Sequence, residues 1–251
     1  MARRVGSWAA RWIAASLLCS GIMLYPSAAH ATISLVRKAS GTIGGATSMS
    51  ATFAATPTQG DFLVCIGTTA TGGPKMMTPV GWNLALENYP GASNSTIAVW
   101  WRIAGASEPT TVTLNFEGGA QPTAGGSIWI AEYSSVDTNP LDKSSSTTAA
   151  ASTSQTSPSV TTTSANEVLL VAFVADGATS YSAWTNSFTE EYDQWVNGTS
   201  TSHTLTVADR IVSATGTYST TATAANSFSY TKMIITFKEV TPAASAGAWS
   251  F

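Results

Sequence analysis

Thr96-Ile97-Ala98-Val99-Trp100-Trp101-Arg102-Ile103 is the stretch on which the reading of this chain turns. Successive side chains of a strand point to opposite faces, so Ile97, Val99, Trp101 and Ile103 share one face. Ala98, Trp100 and Arg102 share the other. The first set is the expected core face, which leaves Trp100 turned outward beside Arg102. Similar short runs, rich in Val, Ile, Thr, Trp and Phe, occur at Ser48–Phe53, Asp61–Thr69, Thr110–Phe116 and Ser127–Tyr133. Turn-forming clusters such as Gly72-Gly73-Pro74 and Gly118-Gly119 separate them. No window carries a capped helical stripe. The pattern predicts an all-β chain, an antiparallel β-sandwich of jelly-roll-like type.

The runs also echo one another. Gly60-Asp61-Phe62-Leu63-Val64-Cys65-Ile66 returns as Asn166-Glu167-Val168-Leu169-Leu170-Val171-Ala172, an offset of 106. Gly81-Trp82-Asn83 falls on Ser187-Phe188-Thr189 at the same offset, and Trp101-Arg102-Ile103 on Asp209-Arg210-Ile211 at 108. Ser127-Ile128-Trp129-Ile130 falls on Met233-Ile234-Ile235-Thr236 at 106. Four echoes in one order predict two sequence-similar halves, one over about 47–143 and one over about 156–239, within a body spanning 32–240. Between them Ser144–Ser159 has the Ser/Thr/Ala composition of a linker. The halves are either separate small domains or partners in one sandwich. Each is short, and burying a face against the other favours one domain.

Ahead of this body, Arg3, Arg4 and Arg11 precede an apolar segment from Trp12 to Tyr25, which Pro26 breaks. Ala29-His30-Ala31 then supplies small residues where a signal peptidase reads, so residues 1–31 are expected to be a cleaved export signal. The apolar segment is shorter than the roughly 18 residues that a membrane span needs. The expected destination is outside the cytoplasm: secreted, at the cell surface, or periplasmic. A short tail, 241–251, closes the chain.

The leader holds three of the eleven Lys and Arg, which leaves eight against fourteen acids, a net charge of −6. Only 10% of residues are charged, and hydroxyl-bearing and small residues fill the surface. Nucleic acid binding needs a Lys/Arg stripe, which is missing here. No transmembrane segment is expected after cleavage. Cys65 is the one cysteine left, so no internal disulfide forms, and it sits in an apolar strand with only His203 as a conceivable partner. No metal site and no cofactor are expected.

The order Gly60-Asp61, Pro79-Val80-Gly81-Trp82, Trp101-Arg102-Ile103 and Tyr133 to Asp142 resembles a widespread family of β-sandwich domains. These domains occur in bacterial secreted proteins and phage tail-associated proteins. The resemblance spans roughly Thr52 to Lys238. It implies the sandwich fold and an extracellular or surface context, and it implies no reaction.

Aromatic residues offer the candidate ligand-binding positions. A flat indole beside polar donors suits a pyranose, whose apolar face stacks on the ring while its hydroxyls bond to neighbours. Trp100 with Arg102 is one such set, unless another element covers Trp100. Trp184, Tyr192 and Trp195 form a second in the loop-like stretch Tyr181–Gly198, accompanied by Glu190, Glu191 and Asp193. Alternation puts Glu190 and Glu191 on opposite faces, which favours a solvated acidic edge over a calcium site. Asp209 shares a core face with Leu205, Val207 and Ile211, where a buried carboxylate needs a partner such as Arg102 or Arg210. Glu87, Glu132 and Asp176 carry no glycosidase signature, so no catalytic residue is assigned. The expectation is a non-catalytic binding or structural module, with an extracellular glycan or another surface protein as partner. The alternatives are a β-sandwich polysaccharide-degrading enzyme and a purely structural surface subunit.

Overall fold

The structure, a computed structural model, describes residues 32–43, 46–91, 94–122, 125–197 and 202–241. The export signal expected over 1–31, and the tail beyond Thr241, lie outside the described residues. The described chain is all-β and antiparallel, with one short 3₁₀ turn at Glu117–Gly119. No helix among the described residues is long and apolar enough to cross a membrane.

In chain order the first seven strands are β1 (Ser34–Ile43), β2 (Ser48–Thr52), β3 (Phe62–Thr69), β4 (Asn83–Asn88), β5 (Thr96–Ile103), β6 (Thr111–Asn115) and β7 (Gly126–Ser134). Five of them form a sheet in the order β1-β7-β3-β5-β4, while β2 and β6 pair as a separate ribbon. The remaining strands are β8 (Val136–Thr156), β9 (Val160–Thr161), β10 (Glu167–Ala175), β11 (Tyr181–Ser182), β12 (Thr189–Asn197), β13 (Ser202–Val212), β14 (Thr217–Tyr218) and β15 (Thr221–Glu239). In the second sheet β15, β10, β13 and β12 follow one another, and β8 runs along the other margin of β15. The pair β9 and β14 forms the second ribbon, and β11 adds two residues to β15.

Period-two alternation decides what lies between the sheets. Phe62, Val64 and Ile66 of β3 and Ile97 and Val99 of β5 point to one side, where they meet Val168, Leu170, Ala172 and Val174 of β10 and Met233, Ile235 and Phe237 of β15. Each such side chain removed from water contributes about 1.5–3 kcal/mol. The central core therefore lies between the two sheets, as in a β-sandwich. The outer faces are covered as well. Leu63, Cys65, Trp100, Ile128 and Ile130 pack under Met49, Ala51, Val112 and Leu114 of the first ribbon. Leu169, Val171, Phe173 and Ile234 pack under Val160, Tyr181 and Phe188.

Strand order and register agree between the sheets. Leu63 faces Arg102 across β3 and β5, and Leu169 faces Arg210 across β10 and β13. The bulge between Leu84 and Leu86 on β4 recurs between Glu190 and Tyr192 on β12. The skip at Val36 on β1 recurs at Asp142 on β8. One offset differs from expectation: Tyr133 faces Phe62 and Phe237 faces Val168, so β7 maps onto β15 at 104 rather than 106. Two residues is one pleat, so each side chain keeps its face and the apolar pattern hides the slip.

The expected boundaries need correction at β1, β8 and β12. β1 carries Arg37 and Lys38 and alternates between half-buried and exposed, as an edge strand does, so its apolar signal is weak. The expected linker Ser144–Ser159 is mostly β8. Its backbone pairs with Tyr230–Phe237, the fully buried run of β15, which supplies the partners its own side chains do not predict. Hydroxyls pair across such margins, as between Thr156 and Thr221 at 2.8 Å. The stretch Tyr181–Gly198, expected as loop, contains β11 and β12.

Candidate functional site

β12 is the free edge of the second sheet, and its bulge at Glu191 sets the phase of everything after it. Tyr192 pairs with Val207 and packs against the central core. Asp193 and Trp195 then fall on the outer face. The Asp193 carboxylate accepts the Tyr181 N–H at 2.8 Å and so ties β11 to β12. Burial holds its pKa up to about 6 despite that bond, with the Glu190 charge adding to the rise.

Trp195 remains 46% exposed and lines an open cavity of about 230 Å³. Ala178, Thr179, Ser180, Ala225 and Asn226 line the rest. Ala178–Ser180 lie in the loop after β10 and Ala225 and Asn226 in β15, and the two segments are bonded together. The Asn226 N–H donates to Thr179 Oγ1 at 3.0 Å, and Asn226 Nδ2 donates to the Ala178 carbonyl at 3.1 Å. The Thr179 N–H donates to Thr204 Oγ1 on β13 at 3.1 Å, which anchors the loop to the sheet. The cavity thus sets a flat apolar ring beside hydroxyl and amide groups.

The other expected binding residues are placed differently. Trp100 is 0% exposed: the β2/β6 ribbon covers the face on which it lies, and its indole N–H donates to Thr78 Oγ1 at 3.1 Å. It has no surface for a ligand, because alternation assigns a side but cannot show that a second layer covers that side. Arg102 is half-buried and pairs with Glu108 at 3.2 Å. Trp184 stacks on Phe173, with centroids 5.3 Å apart and planes 9° apart, and donates to Glu190 Oε2 at 2.8 Å. Tyr192 faces inward. Of the five, Trp195 alone presents an open aromatic face.

The carboxylates are engaged internally. Asp209 accepts from Tyr133 Oη at 2.9 Å, not from Arg102 or Arg210, and burial pushes its pKa up to about 6. Arg210 lies over the Tyr218 ring at 5.3 Å. Glu132 binds Arg37 at 2.8 Å and the Thr58 N–H at 2.9 Å. Asp61 is pushed up to about 6, first by burial and then by Glu132. Glu167 reaches about 7, again mainly through burial, with Asp142 beside it. Cys65 is fully buried on the outer face of β3, where burial pushes its thiol up. His203 sits against Thr68 and Ser127 on the inner side, so the two do not meet. Among the described residues, no three His, Cys, Asp or Glu are grouped to hold a metal ion.

Sequence reading missed Ala178–Ser180, in the loop after β10, and Ala225 and Asn226, in β15. Small and polar types mark them only as turns, and the pairing of β10 with β15 brings them to Trp195. Comparisons with protein-family models, with curated proteins and with solved structures found no match to this chain.

Proposed function

We propose that this chain is an exported, non-catalytic β-sandwich that acts at the cell surface or outside the cell, binding glycan through Trp195. The carrying observation is the exposed Trp195 at an open cavity lined by hydroxyl and amide groups. A pyranose matches both parts, since its C–H face stacks on an aromatic ring and its hydroxyls exchange hydrogen bonds with such groups. Export is supported by the basic, apolar and small-residue order of residues 1–31. A duplicated body, as in the secreted and phage tail-associated domains it resembles, is supported by the shared strand order and the two shared bulges. The carboxylates with raised pKa values are held by neighbouring strands, which favours a structural role for them over that of a polysaccharide-degrading enzyme.

Titration with a glycan array and with soluble polysaccharides, read by tryptophan fluorescence, tests the binding reading. A saccharide that quenches the wild type and leaves Trp195→Ala unmoved supports it. Release of reducing ends from the same polysaccharides would replace it with the hydrolase. Silence in both assays would favour a structural surface subunit. N-terminal sequencing of protein recovered outside the cytoplasm should begin at Thr32.

A further inference from the structure

The register that relates the two sheets also relates Trp195 to a residue of the first half. Asn88 faces Ile97 on β5 as Gln194 faces Leu205 on β13, so the next position is Tyr89 in one half and Trp195 in the other. Each ring stands four residues past the bulged residue of an edge strand, Ala85 in β4 and Glu191 in β12, and their exposures are 47% and 46%. Each also follows a carboxylate by two residues: Asp193 before Trp195, and Glu87 before Tyr89. Asp193 is held by the N–H of Tyr181, and Glu87 is held by Lys75 Nζ at 3.0 Å, at the position 106 residues earlier than Tyr181. Gly72, whose N–H donates to the Gly91 carbonyl at 3.4 Å beside Tyr89, lies 106 residues before Ala178 of the cavity lining.

The two rings lie on one end of the sandwich. Ser95 Oγ donates to the Asp176 carboxylate, and Thr231 Oγ1 donates to the Ser95 carbonyl at 2.6 Å. Gly125 sits against Val196 and His203, so that a Cβ there would lie 3.1 Å from Val196 Cγ1. These contacts join the strand ends that carry Tyr89 to those that carry Trp195.

We propose that Tyr89, flanked by the Lys75–Glu87 ion pair, is a second saccharide subsite equivalent to Trp195. One chain then engages a hydroxyl-rich polysaccharide at two points on the same end. This rests on the glycan reading of Trp195. The phenol ring supplies the stacking face, and the ion pair supplies donors and acceptors for hydroxyl groups. A phenol is a smaller platform than an indole, so Tyr89 is the weaker of the two.

The test uses the mature chain, isotope-labelled and titrated with hexasaccharides of β-1,3- and β-1,4-linked glucose, xylose and N-acetylglucosamine. Amide shifts are expected in two separate groups, one around Gly72–Lys75 and Tyr89, the other around Ala178–Ser180 and Trp195. Tyr89→Ala should erase the first group and spare the second, Trp195→Ala should do the reverse, and Tyr89→Trp should keep both. Both rings are exposed, so each variant should keep the wild-type spectrum elsewhere. Shifts confined to the Trp195 group would overturn the second subsite while leaving the glycan reading standing. No shifts with any hexasaccharide would overturn both.

Discussion

The two outer layers of the molecule solve one packing problem in opposite ways. On the first sheet, Gly67 leaves room for the ring of Trp100, and a Cβ on Gly67 would lie 3.2 Å from that ring. The corresponding pair on the second sheet is Phe173 with Ala208, large and small exchanged. The coverings differ in the same sense. Trp100 lies under a ribbon of two five-residue strands, whereas Phe173 lies against Tyr181 and Trp184, in a cluster that Val160 of β9 and Tyr218 of β14 join. A layer must be filled to interior density, but which strand supplies the bulk is free to drift while total volume is kept.

The largest expected effects come from emptying either layer. Trp100→Ala and Phe173→Ala should each cost about 3–5 kcal/mol in urea unfolding, because a large buried ring leaves a cavity. The sharper experiment is the exchange itself. If the layers are equivalent, Phe173→Gly combined with Ala208→Trp should be more stable than the sum of the two single changes predicts. Simple additivity would break the equivalence. Next in size is Gly67→Ala, whose Cβ would lie 2.4 Å from Leu114 Cδ1 and 2.8 Å from Met76 Sδ. A loss of about 1–3 kcal/mol is expected, as for other overpacked cores.

Acidity probes the buried carboxylates of both sheets. Asp61, Asp193 and Asp209 are pushed up to about 6 and Glu167 to about 7, each chiefly by burial. The folded state holds these protons more tightly than the unfolded chain. Their contribution is therefore complete below pH 4 and lost as pH rises through 6 to 7. Asp142 is lowered, and its opposing contribution is lost only below that window. The melting temperature should fall from pH 5 to pH 8, and Asp209→Asn should flatten part of the slope. A flat or rising profile would contradict the burial of these groups.

The smallest stability effect is expected at the surface. Lys38 and Glu191 pair at 2.7 Å between β1 and β12, with Lys38 partly exposed, so Lys38→Ala should cost less than about 1 kcal/mol. Trp195→Ala should likewise stay within about 0.5 kcal/mol while removing glycan-dependent quenching.

Much of the fold was legible because strand faces are written in period two. Thr96–Ile103 and Phe62–Thr69 lie where alternation puts them, and Ile97 and Val99 face the core. The acidic balance and the turn clusters were equally readable from composition. Alternation reports a side, however, and says nothing of what covers it. Trp100 on the outer face of β5 and Trp195 on the outer face of β12 look alike in sequence. One is sealed under a ribbon and the other is open at an edge, a difference set by strands distant along the chain. For the same reason the Ser/Thr/Ala run of β8 could not be recognised as a strand. Its stability comes from pairing with β15, and a backbone hydrogen bond leaves no mark on the residues that make it.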